Sequence, residues 1–119
     1  MDITGDSGRL LGKLMSAASR RADVIANNIA NQSTPGFKRG TLAFEELLAS
    51  EMKRGGADLL SILPERQTDF ITASKANGNN VQMELEVNAM NENRLLYETY
   101  AAIMAGRMEL VRASIDERG

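Results

Sequence analysis

The 119-residue chain has no cysteine, no histidine and no tryptophan, and only two prolines, two tyrosines and three phenylalanines. Without cysteine there is no disulfide framework and no thiolate zinc cluster. Without histidine the commonest metal ligand and general base is missing. So few aromatics mean that large rings cannot dominate a core. Fourteen basic residues stand against sixteen acidic ones, and no basic run marks a nucleic-acid or membrane-surface site. Also missing are G-x-G-x-x-G, G-x-x-x-x-G-K-[ST] and H-E-x-x-H. Glu45 with Glu46, and Glu84 with Glu86, are too close in sequence to share a helical face and read as solvated acids. Ser33 and Thr34 have no histidine to activate them. These absences point away from an enzyme and predict no cofactor, no metal, no nucleic acid and no small-molecule substrate.

Long hydrophobic runs are absent too. Nothing approaches the roughly 20 apolar residues that span a bilayer. The opening M-D-I-T-G-D-S-G-R-L-L-G-K has acids where a secretory signal is basic, and it lacks an apolar core. Taken alone, this predicts a cytoplasmic chain with no cleaved signal peptide.

What is present is two long helical patterns around a connector, dividing the chain into 6–31, 32–80 and 81–117. In the first, Leu11, Leu14, Ala18, Ala22, Ile25 and Ile29 recur every three or four residues and form one stripe. Arg9, Lys13, Arg20, Arg21 and Asp23 lie mostly off it. Asp6 or Ser7 offers an N-cap. Asn27, Asn28 and Asn31 are poor mid-helix residues but suit a helix end. Thr34, before a proline, is biased to extended backbone, which stops the helix. Pro35 and Gly36 then suit the two corners of a type II turn, with Gly36 at positive φ, leading to Phe37.

The last helix is expected from about residue 82 to 116, with Asn80 as N-cap and Glu84 and Glu86 in its first turn. Val87, Met90, Arg94, Tyr97, Ala101, Met104, Met108, Val111 and Ile115 repeat at alternating steps of three and four, a heptad seam. Arg94 in that seam is either a register-setting polar position or a residue exposed by drift. Methionines here suit seam filling better than a plastic surface. A second row, Leu96, Ile103 and Leu110, lies on another side, with Tyr100 between. A two-stranded coiled coil buries only a narrow stripe and leaves that row wet. Each such residue left in water forfeits roughly 1.5–3 kcal/mol, so the row forfeits about 5–9 kcal/mol, comparable to the stability of a small domain. The sequence therefore predicts that this row packs between neighbouring chains, the alternative being a self-contained bundle that wraps the last helix completely.

The connector is less regular. Leu42, Phe44, Leu47, Leu48 and Met52 suggest a short helix ending before Gly55-Gly56. Leu59, Leu60, Ile62 and Leu63 form a small apolar patch closed by Pro64. Residues 67–73 suit a short strand, and Asn77-Gly78 is a turn signal around which a small hairpin fits. The fold class is mainly α: two terminal helices paired as a coiled-coil-like hairpin, joined by an irregular connector.

The segment A-N-N-I-A-N-Q-S-T-P-G-F-K over 26–38 resembles the signature of the bacterial flagellar rod, hook and hook-associated proteins. N-G-N-N-V-Q-M-E-L-E followed by N-R-L-L-Y-E-T-Y resembles the closing segment of proximal-rod members of that family. The likeness covers 20–45 and 77–115. Phe37 stands where the pattern more often has tyrosine, and Gly40-Thr41 replaces a more charged pair. The resemblance implies a structural subunit of the proximal rod in the periplasm, built into a tube around the export channel. It implies partners in copies of itself, other rod proteins, the rod adaptor and the MS-ring protein. It also implies passage through the type III export apparatus without a cleaved signal. A different reading of the same seam is an intracellular coiled-coil adaptor that closes as a dimer or heterodimer.

Overall fold

A computed structural model describes residues 5–118. Helix α1 spans Asp6–Ala30 and helix α3 spans Met83–Arg118, and helix α2 (Glu45–Lys53) lies in the connector between them. Asn28 meets Glu86, Ala18 meets Asn93, and Gly8 lies beside Arg107, so α1 and α3 run antiparallel. At about 1.5 Å per residue they are roughly 37 and 54 Å long. Residues 108–118 therefore extend past the start of α1, and the whole molecule measures 67 × 29 × 14 Å. No helix among the described residues is long and apolar enough to cross a membrane.

The helix ends follow local chemistry with two departures. Asn31 is the C-cap of α1, as its amide suits, and its backbone N–H bonds back to Asn27 and Asn28 carbonyls. The N-cap is Gly5 rather than Asp6 or Ser7, and no side chain caps it. Asn80 does not cap α3, because its side chain is committed to Arg39 and Asp69.

The connector folds onto the side of α1. Strand β1 (Gly40–Ala43) pairs antiparallel with β2 (Glu65–Thr68), from Gly40 opposite Thr68 to Ala43 opposite Glu65. Helix α2 (Glu45–Lys53) and a 3-10 turn at Leu59–Ser61 lie between them. The expected helix around Leu42 and Phe44 is thus a strand at its start. Gly40, Leu42 and Phe44 are buried at alternate positions, a period of two. The strand expected at 67–73 falls at 65–68, and its partner is β1 and not a segment beyond Asn77-Gly78. Those two residues do make a turn, with Gly78 at φ 85°, but the turn joins no strands.

Phe44 is completely buried and centres a small core with Ala17, Leu42, Leu48 and Leu59. Leu10, Leu14, Val24 and Ile62 pack at its edge. Burying a side chain of that size contributes roughly 1.5–3 kcal/mol. Leu63 and Met52 stay exposed. Lys13 ties the connector to α1 by donating to the Leu60 and Ile62 carbonyls.

Candidate assembly site

Two features of the hairpin bear on assembly: a buried polar junction at its closed end, and the face of α3 that the chain leaves uncovered.

The junction starts at Asn28, fully buried near the end of α1. Its Nδ2 donates to the Gly40 carbonyl at 2.8 Å, and its Oδ1 accepts the Gly40 N–H at 2.8 Å. The amide closes the outer edge of β1 as a neighbouring strand would. Asn28 also donates to Glu86 Oε2 at 3.1 Å. Glu86 Oε1 accepts from Arg39 Nε at 2.5 Å, and Arg39 Nη1 reaches Asp69 at 2.8 Å. Asn80 accepts the Arg39 N–H at 2.7 Å and donates to the Asp69 carbonyl at 2.7 Å. Helix α1, strand β1, the segment after β2 and helix α3 meet in this one network. Among the described residues, no buried side-chain nitrogen or oxygen lacks a partner.

Electrostatics favour the charged forms of Arg39 and Asp69 in the junction. Burial opposes the Arg39 charge, but the bonds to Glu86 and Asp69 prevail and raise its pKa. Asp69 sits far below the usual carboxylate range. The Thr72 hydroxyl and N–H act first, burial opposes them, and Arg39 and the Ile71 N–H assist. A buried pair of this kind is costly to break singly, by about 3–5 kcal/mol, because the remaining charge is stranded. Glu86 is thus not the solvated acid its sequence context suggested, and neither is Glu45, which pairs with Arg21.

The motif turn packs against the same end. Phe37 N–H bonds the Thr34 carbonyl at 3.3 Å across Pro35 and Gly36, and Gly36 has the expected positive φ of 74°. Gly36 N–H donates to the Asn77 carbonyl at 2.9 Å. Asn79 Nδ2 donates to the carbonyls of Asn31 and Thr34, both at 2.8 Å. Asn31 bonds back to Asn27 and accepts from the Thr34 hydroxyl. The three motif asparagines therefore differ: Asn28 is inside the junction, Asn31 braces the turn, and Asn27 is exposed.

The stripe on α1 is sheltered by the chain itself. Leu11, Ala18 and Ile25 are buried, and Leu14, Ala22 and Ile29 are half-buried. On α3 the line facing α1 is not the apolar seam but Glu86, Asn93, Tyr100 and Arg107, seven residues apart. Periodicity counts only apolar residues, whereas these polar groups are bonded and so tolerate burial. Asn93 donates to the Ala18 carbonyl at 2.8 Å and accepts from Arg21 at 3.1 Å. Arg21 also binds Glu45, whose Oε1 accepts the Tyr100 hydroxyl at 3.1 Å. Burial, then the Glu45 charge and bond, push the Tyr100 pKa up to about 12.

The predicted seam lies on one flank of that line. Met90, Ala101 and Met104 are half-buried there, while Val87, Arg94, Tyr97, Met108, Val111 and Ile115 are exposed. Arg94 is therefore an exposed residue rather than a buried register position. Met90 and Tyr97, with Ala18, Ser19 and Ala22 of α1, line a groove of about 330 Å³. On the other flank Leu96 is half-buried, but Ile103 is 49% and Leu110 73% exposed. The described residues thus cover α1 and leave both apolar flanks of α3 open, most completely beyond residue 107. Sequence reasoning missed Arg39, Asp69, Asn79, Glu86 and Asn93. The one available signal was the seven-residue spacing of polar groups within a helix.

No group of acids suited to hold a metal occurs among the described residues. Residues 15–38 match the model of a family described as flagella basal body rod protein. The chain is 29% identical to the flagellar basal body rod protein FlgB of Borrelia hermsii, over 97% of this chain and 99% of that protein. It is also 29% identical to FlgB of Bacillus subtilis, over 86% of this chain and 87% of the relative. A stretch covering 54% of the chain is 38% identical to the flagellar hook protein FlgE of Escherichia coli, and spans 16% of that protein.

Proposed function

We propose that the chain is a structural subunit of the flagellum with no catalytic activity, and that it builds the proximal rod through α3. It resembles the flagellar basal body rod proteins over residues 15–38 and is 29% identical to FlgB relatives over most of its length. Copies of the hairpin, with other rod proteins, stack side by side into a tube around the export channel. The rod adaptor and the MS-ring protein meet its base. The subunit reaches the periplasm through the type III export apparatus, without a cleaved signal.

The observation that carries this reading is the uncovered length of α3. Met108, Leu110, Val111 and Ile115 are all more than half exposed on one stretch of helix that no described residue covers. Fully burying each contributes roughly 1.5–3 kcal/mol, so the four together are worth as much as a small domain's stability. Heterologous contacts at such a face propagate as an open assembly.

Val111→Asp and Leu110→Asp test this. Both side chains are exposed in the free chain, so helical circular dichroism is expected to hold while rod assembly and swimming are lost. Normal motility from both variants would refute the assignment of this face. Ile25→Asp is the weaker test, since Ile25 is buried and its loss would act through folding. The adaptor reading predicts a different result in light scattering: a plateau at a small closed oligomer as concentration rises, where the rod reading predicts continued growth.

A further inference from the structure

Helix α3 does not offer α1 its most apolar line. Glu86, Asn93 and Tyr100 face α1, while the apolar seam begins one residue later, about 100° around the helix. We propose that Glu86, Asn93 and Tyr100 form a rotational key that holds α1 on the polar line and so keeps the apolar seam facing outward.

Two arrangements of the pair compete. In one, α1 lies on the polar line, as observed. In the other, α3 turns by about three-quarters of a residue step, and α1 settles on Met90, Tyr97 and Ala101. The apolar exchange nearly cancels, since the turn covers Tyr97 and Ala101 but uncovers Leu96 and Ile103 on the opposite flank. Hydrogen bonds then decide. The turn would break five of them: Asn28 to Glu86, Arg39 to Glu86, Asn93 to the Ala18 carbonyl, Arg21 to Asn93, and Tyr100 to Glu45. Each is worth roughly a factor of five in such an equilibrium, so together they favour the observed rotation by about a thousandfold or more. The rungs are positioning residues: the bonds they make are all within the chain, yet they set which face of α3 a neighbour can reach. The consequence for assembly rests on the rod reading above. The rotation itself is a property of the isolated chain, and its test can fail or succeed independently.

The absence of native cysteine allows a direct readout by thiol labelling. Ala101→Cys reports the seam flank and Ala89→Cys the opposite one; both positions are half-buried. In the parent chain both thiols react at intermediate rates with a maleimide. Adding Glu86→Ala, Asn93→Ala and Tyr100→Ala together removes all five bonds, so the two arrangements become comparable in population. The expected result is a split of opposite sign: Ala101→Cys slows by about twofold and Ala89→Cys speeds up by about twofold or more, with helical circular dichroism retained. Asn93→Ala with Tyr100→Ala alone, which keeps both Glu86 bonds, leaves the observed rotation favoured by roughly 25-fold and should leave both rates near those of the parent. Unchanged rates in a helical triple variant overturn the proposal. So does acceleration of both thiols together in either background, since the rungs would then only stabilise the fold.

Discussion

Adjacent asparagines of one motif should respond unequally to alanine. Asn28→Ala removes three hydrogen bonds at a fully buried site, two of them to the buried Gly40 backbone and one to Glu86. The Gly40 N–H and carbonyl are then left without partners, and each stranded group costs about 1–3 kcal/mol. Better helix propensity of alanine returns about 0.6 kcal/mol. The expected net loss is about 2–4 kcal/mol, a large part of the 5–15 kcal/mol typical of a domain. Asn27 is exposed and accepts only bonds from Asn31. Asn27→Ala keeps the backbone acceptor and gains propensity, so it should lie within about 0.5 kcal/mol of the parent. Urea denaturation followed by circular dichroism measures both, read from the midpoint at unchanged slope. Equal costs for the two variants, or a loss below about 1 kcal/mol for Asn28→Ala, would refute the assignment of Asn28 as the closing edge of β1.

Asp69 has its folded pKa depressed below the ordinary 3.8, so folding favours its ionised form. Its contribution is whole above about pH 4 and drains away as pH falls further; Asp69→Asn should flatten that acid limb in thermal melts at stepped pH. Tyr100 is shifted the other way, from 10 to about 12, so its contribution is complete below pH 10 and is lost on the way to pH 12. Ultraviolet titration should show a phenol ionising near that value and moving down in Glu45→Gln; no change in Glu45→Gln would contradict the contact. Gly36→Ala meets no atom within 4 Å but sits at φ 74°, so it should cost about 1–2 kcal/mol from backbone strain alone. Gly78→Ala adds a Cβ 3.3 Å from the Gly36 Cα at φ 85° and should cost more, by the same denaturation assay.

Both long helices, the stop at Thr34-Pro35 and the positive φ at Gly36 were legible because each is set by neighbours within a few residues. Amphipathic spacing and proline and glycine geometry need no tertiary contact to act. The family signature was legible for the same reason, being a contiguous string of residues. The β1–β2 pairing was not, since β1 shares its apolar residues with α2 and its partner lies beyond a helix and a 3-10 turn. Such a pairing is fixed by long-range register rather than by local pattern.

The sequence by itself determined that this chain is two long amphipathic helices with a turn between them, and that α3 carries more apolar surface than one helix partner covers. Only the tertiary structure decided which face of α3 meets α1. That choice depends on Glu86, Asn93 and Tyr100 finding partners in Arg39, Arg21 and Glu45, between 47 and 72 residues removed along the chain. Hydrophobic spacing follows from the chain one turn at a time, whereas a buried polar group is favourable or ruinous according to what distant segment stands opposite it.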